Sequence, residues 1–217
     1  LDASNPRVFI NLINLYVREG RPEDALEKSE LATVLAPDNE EVWTAAAAAH
    51  IANGDRLLDV GDSAAANIQY AEAVRAAEQA LAINPENATA SAYAAGGLVL
   101  QGNPRLYDRA AEMADVATFI DPDHPPARYY MGTVFTYQGQ YALAREQNQL
   151  GLQANPADPD LYYALGYNSF GQGQVADAII SFEQALDIDS DFAAAYDGLA
   201  HMYIQLGDDA LAIDNAR

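Results

Sequence analysis

The chain has 217 residues, half of them apolar, which is enough to bury a continuous core and argues against disorder. Thirty-two acidic residues against eleven basic ones give a formal charge of −21, whose field repels phosphate backbones and anionic lipid surfaces, so no nucleic acid partner is expected. There is no cysteine, which removes disulfides, thiolate metal sites and a cysteine nucleophile together.

The plain reading of the acidic charge is a solvated surface that keeps the protein soluble; the sharper reading is attraction of a basic partner. The longest apolar stretch, Val42 to Ala52, contains His50 and is about half the length that spans a bilayer, so no membrane insertion of this segment is expected. The chain opens at Leu1 without an initiator methionine and stops at Arg217 inside a helical pattern, which suggests a piece of a longer protein.

Glycines punctuate the chain at Gly20, Gly54, Gly102, Gly139, Gly173 and Gly207, with spacings of 34, 48, 37, 34 and 34 residues. Prolines at Pro37, Pro85, Pro122 and Pro156 repeat the 48, 37 and 34. Alanine follows the glycine by five residues at Ala25, Ala144, Ala178 and Ala212, but by nineteen at Ala73 and by eight at Ala110. Fourteen and three extra residues therefore lie between glycine and alanine, and the rest keeps a 34-residue frame.

Six units follow in chain order. The first, 6–39, carries Phe9, Leu12, Tyr16, Gly20, Ala25, Ala32 and Pro37. The second, 40–87, has alanine at Ala46 and Ala47 and holds the longer insertion. Shared between two antiparallel helices, fourteen residues add seven to each and project two extra turns, about 10 Å. The third, 88–124, has Ala94 and the three-residue insertion. The fourth, 125–158, offers Met131-Gly132, Phe135, Gly139, Tyr141, Ala144 and Pro156. In the fifth, 159–192, Tyr162, Leu165, Gly166 and Ser169 form one helical stripe. Gly173 breaks it, and Val175, Ala178, Ile179, Phe182, Ala185 and Leu186 form a second stripe before Ser190. The sixth, 193–217, is cut short in its second helix. The expectation is one array over 1–217 with paired helices throughout.

The order aromatic, Leu-Gly, aromatic, Gly, Ala, aromatic, Ala and Pro in a 34-residue unit resembles the tetratricopeptide repeat family, most closely in the fifth unit. Two features depart from it: Ala46, Ala47 and Ala94 replace large side chains, and Ser190 stands where proline is usual. The resemblance implies an all-α, right-handed α-solenoid of stacked antiparallel helix pairs, about six repeats. It also implies a protein-interaction module rather than an enzyme.

The residues that could carry chemistry do not assemble. His50, His124 and His201 fall in three different units without metal-ligand spacing. Asp121 and Asp123, and Asp158 and Asp160, flank prolines where carboxylates favour turns and helix starts. Gly171-Gln172-Gly173 follows a helix rather than a strand, so it reads as a turn and not a phosphate cradle. Asn87-Ala88-Thr89 matches a glycosylation acceptor by accident. No catalytic residue, metal or cofactor is assigned.

The resemblance places the first helix of each unit on a concave surface. Of thirteen tyrosines, Tyr16, Tyr70, Tyr107, Tyr141, Tyr162, Tyr196 and Tyr203 fall where the repeat wants packing. Tyr93, Tyr129, Tyr130, Tyr137, Tyr163 and Tyr167 are expected on the groove side, with Tyr163 and Tyr167 as i, i+4 neighbours and Tyr130, Thr133 and Tyr137 as a stripe. His201 faces the same groove. Some family members clamp a peptide C-terminal carboxylate; here Asn11 and Asn14 suit that clamp, but Ile10, Ala45, Thr89 and Tyr93 stand where its other residues belong. The expected ligand is instead a peptide or protein with hydrophobic side chains, basic in the sharper reading of the charge. Two alternatives stay open: a regulatory or substrate-recruiting segment of a larger enzyme, and a structural module that self-associates through the tyrosine face.

Overall fold

In the computed structural model, which describes residues 5–215, twelve α-helices follow one another and no strand occurs among the described residues. They pair as α1 (Pro6–Arg18) with α2 (Pro22–Leu35), α3 (Glu40–Asp59) with α4 (Ser63–Ile83), and α5 (Ala88–Leu100) with α6 (Tyr107–Ile120). Then come α7 (Pro125–Tyr137) and α8 (Tyr141–Ala154), α9 (Pro159–Gly171) and α10 (Val175–Ile188), and α11 (Ala193–Leu206) and α12 (Asp209–Asn215).

The chain divides into two compact units, one ending at Tyr130 and the other starting at Met131, with the boundary inside α7. In the first unit each helix packs on the next from α1 to α6, and α3 also touches α1 and α5. In the second, α8 to α12 pack in sequence and α9 touches α11. First helices therefore meet first helices, as stacked pairs require.

Local chemistry sets the helix starts. Asn5, Asn39, Asp62, Asn87 and Asp158 each stand at an N-cap and accept backbone N–H bonds from the first turn, as in Ala65 N–H to Asp62 at 3.0 Å and Ala90 N–H to Asn87 at 2.9 Å. Proline opens α1, α2 and α9, where a missing N–H costs nothing. The reading of Asp158 as a helix start is borne out.

The second unit of the repeat frame is lengthened as the insertion implied. Helices α3 and α4 have 20 and 21 residues, against 13 in α1 and 14 in α2, so each gains seven. One correction follows. Gly54 is not the turn glycine of this pair: it lies within α3, and the turn is made by Gly61 at φ +84°, where a Cβ would be strained. Gly20, Gly102, Gly139, Gly173 and Gly207 share that left-handed conformation. Measured between turn glycines, the first two gaps, 34 and 48, become 41 and 41, the fourteen extra residues being split evenly, and the 37 from Gly102 to Gly139 stays. The three-residue insertion is a single 3-10 turn, Pro104–Leu106, ahead of α6.

The two cores differ in side-chain size. The first is alanine-rich, with Ala46, Ala47, Ala76, Ala77 and Ala94 forming one cluster against which Trp43, Tyr93 and Met113 pack. Small residues let these helices approach closely. The second centres on Phe182, whose ring fits between two glycines: a Cβ at Gly166 would lie 2.5 Å from it and one at Gly198 2.8 Å. Asn148, 34 residues before Phe182 and so at the same place in the frame, is fully buried with neither side-chain polar atom hydrogen-bonded.

Candidate partner-binding surface

The second unit gathers rings on α9 and α11. Tyr163 and Tyr167, one helical turn apart, meet edge to face with centroids 4.9 Å apart. Tyr163 also reaches Phe182 at 5.8 Å and Phe192 at 5.6 Å, while Tyr167 reaches Phe182 at 5.7 Å and Phe170 at 6.4 Å. Phe170 in turn meets the ring of His201 at 5.3 Å. Tyr167 keeps 44% of its surface exposed and His201 is exposed, whereas Tyr163, Phe170 and Phe192 are half-buried. The rings thus hold one another in fixed orientations while leaving an open edge.

Tyr163, Tyr167 and His201 are therefore brought together, joined by two residues that sequence reasoning missed. Phe170 was legible as the i+3 neighbour of Tyr167 on the same helix face. Phe192 was not, because it is the N-cap residue of α11 and lies outside any helical stripe. In the same unit Thr133 is half-buried, and Tyr137, the last residue of α7, is 55% exposed.

The first unit treats its members differently. Tyr130 was expected on the open side of α7, and this is corrected: it is only 7% exposed. Its ring lies over Gly96 of α5, where a Cβ would come within 2.5 Å of Cζ, so the missing side chain makes room for it. Tyr129 stays half-buried, edge-on to Tyr130 at 5.1 Å, and Tyr93 is half-buried against the alanine cluster. Asn11 and Asn14 are exposed on α1. Ile10 and Ala45 pack into or against the N-terminal core, and Thr89 bonds His124, so none of these three presents a cation to a carboxylate.

The histidines serve separate purposes. His50 Nδ1 contacts Gln69 Oε1 at 2.8 Å, and burial lowers its pKa. His124 caps α7: its Nδ1 accepts from the Ala127 N–H at 3.3 Å, which leaves Nε2 to donate to Thr89 Oγ1 at 3.0 Å. Burial lowers its pKa too, in keeping with the neutral tautomer that this pair of bonds needs. No described helix is long and apolar enough to cross a membrane.

A family model described as tetratricopeptide repeat matches residues 159–192. The chain is similar to the heat-shock protein cognate co-chaperone sgt12 of Aspergillus fumigatus, 31% identical over 105 residues that make up 46% of this chain and 28% of that protein. It thus spans well under half the length of that relative. Its fold is similar to that of TTC0263, a TPR protein of Thermus thermophilus, with a TM-score of 0.71 at 15% identity, over 95% of this chain and 100% of that one. The Cut9-Hcn1 complex of the APC/C matches with a TM-score of 0.73 at 20% identity, over 99% of this chain and 39% of that one. At such identities structural likeness speaks for the fold alone. One repeat, residues 159–192, matches the tetratricopeptide model outright, and the helix pairs around it share the fold of tetratricopeptide-repeat proteins.

Proposed function

We propose that this chain is a protein-interaction scaffold whose binding surface is the ring cluster of α9 and α11, holding a peptide or protein segment by its hydrophobic side chains. The tetratricopeptide fold supports a scaffold role in general. The observation that carries the specific reading is Tyr167, which is 44% exposed although it packs edge-on against Tyr163, Phe170 and Phe182. A ring already locked by its neighbours loses little conformational freedom on binding, and its exposed face and hydroxyl offer apolar contact with a polar tip. Tyr137 and Thr133 of the same unit are the next residues in this reading, with Tyr93, Tyr129, Asn11 and Asn14 as its counterparts in the first unit. Tyr130, being buried, is left out.

The test is to select peptide ligands for the chain from a displayed library and measure them against Tyr167→Ala, Phe170→Ala and His201→Ala. Central aromatic contacts cost about 2 kcal/mol or more on truncation, so at least one of the two ring variants should weaken selected peptides about thirtyfold with helical circular dichroism unchanged. Raising salt should weaken them little, since apolar contacts are not screened. Ligands indifferent to all three substitutions would overturn the assignment.

A further inference from the structure

A second cleft lies in the first unit, far in the sequence from the ring cluster. It has a volume of about 370 Å³ and opens between the second helices α2 and α4, with α3 as its floor. Trp43, the only tryptophan, walls it. That side chain is held in two ways: it packs against the alanine cluster that includes Ala46 and Ala76, and its Nε1–H donates to the Pro37 carbonyl at 2.7 Å. Ala46 and Ala76 also line the cleft, so the room exists because small residues stand there.

The rim is charged. Glu30 on α2 and Glu72 and Arg75 on α4 line it. Glu72 pairs with Arg75, whereas Glu30 is exposed and has no ion-pair partner among the described residues. An anchored indole face beside an unpaired carboxylate is the arrangement that receives a cation, the ring quadrupole and the charge acting together. The chain's charge of −21 draws cations toward it. Arg75 shows the chemistry in miniature, since a guanidinium already sits at the rim on Glu72.

We propose that this cleft takes the arginine side chain of a partner polypeptide, its guanidinium over Trp43 and paired with Glu30, as a site separate from the ring cluster. A planar guanidinium suits both a ring face and a carboxylate, which a lysine ammonium does less well.

Trp43 makes the test direct, because tryptophan emission reports on this cleft alone. The full chain is titrated with the blocked pentapeptide acetyl-Gly-Gly-Arg-Gly-Gly-amide and with its citrulline analogue, which keeps the shape and loses the charge. The arginine peptide should give a saturable change in emission and the citrulline peptide none. Glu30→Gln should weaken binding about fivefold, the scale of one cation–π or charged contact, while Glu183→Gln on α10 leaves it unchanged. Arg75→Gln should tighten binding by removing a competing cation and freeing Glu72, whereas Arg18→Gln should not. A gain cannot arise from misfolding. Equal response to both peptides, equal loss in Glu30→Gln and Glu183→Gln, or no gain in Arg75→Gln overturns the proposal. Tyr167→Ala should leave this titration unchanged, so failure here and failure of the ring-cluster reading are distinguishable.

Discussion

The ring of Tyr70 on α4 lies over Gly54 on α3, so close that a Cβ at residue 54 would stand 2.7 Å from Cδ1 of the ring. Tyr70 is 1% exposed and its hydroxyl donates to Asp55 Oδ1 at 2.7 Å. The lengthened hairpin is thus pinned where it begins to exceed its neighbours.

Gly54→Ala should therefore destabilise the fold. Alanine is favoured over glycine within a helix by about 1 kcal/mol, but overpacking against a buried ring costs about 1 to 3 kcal/mol. The clash should win, giving a lower midpoint in urea at unchanged m. A midpoint at or above that of the parent would show that Tyr70 can move aside.

Removing residues 55–68 should leave a folded chain. The cut joins Gly54 to Gln69 and sets Ala73 five residues after a glycine, restoring the spacing of Gly20 to Ala25. Gly54 would then become the turn glycine. A single cooperative melt with helical circular dichroism reduced in proportion to the fourteen residues lost is the expected result, and aggregation the contrary one.

Asp55 should make stability fall as pH rises. Burial of its carboxylate pushes the pKa up to about 6, the Tyr70 hydrogen bond opposes this, and Asp59 adds repulsion. The folded state prefers the neutral acid, so the contribution is complete below the unfolded value near 3.8 and is lost as pH passes through about 6. Asp55→Asn keeps an acceptor for Tyr70 without the charge. It should match the parent at about pH 3 and exceed it at about pH 8 by about 1 kcal/mol at most, a discounted figure because the residue as a whole is exposed even though its carboxylate is packed against Tyr70. Chemical denaturation at the two pH values decides it.

Asn148→Leu should stabilise the second unit. The Asn148 amide is fully buried without a hydrogen bond, a state that costs about 1 to 3 kcal/mol, and leucine has nearly the same branched outline. Thermal melting should shift upward. A lower melting temperature would mean that the packing of Asn148 beside Gly132 tolerates no added methyl volume.

Much of the architecture was legible because glycine and proline act locally. The glycine at each turn adopts its left-handed conformation without help from distant residues, so its spacing alone reveals the helix pairs, and the division of the fourteen extra residues into seven and seven follows from antiparallel pairing. Gly54 misled for the same reason: it stands 34 residues after Gly20, at the place a turn would occupy in a unit of ordinary length. What marks it as a helix residue is Tyr70, whose ring comes from the neighbouring helix and leaves no trace in the period.

The candidate surface divides along the same line. Tyr163 and Tyr167 share a helix face, and their contact follows from about 3.6 residues per turn. Sequence by itself determined the repeat, the paired helices, the acidic surface and which helices carry tyrosine. Only the tertiary structure decided that Tyr130 is covered while Tyr167 is open, that Phe192 joins the rings, and that a cleft stands beside Trp43. Two of those outcomes depend on the size of a side chain on another helix: glycine at Gly96 admits the buried ring of Tyr130, and alanine at Ala46 and Ala76 leaves the cleft unfilled.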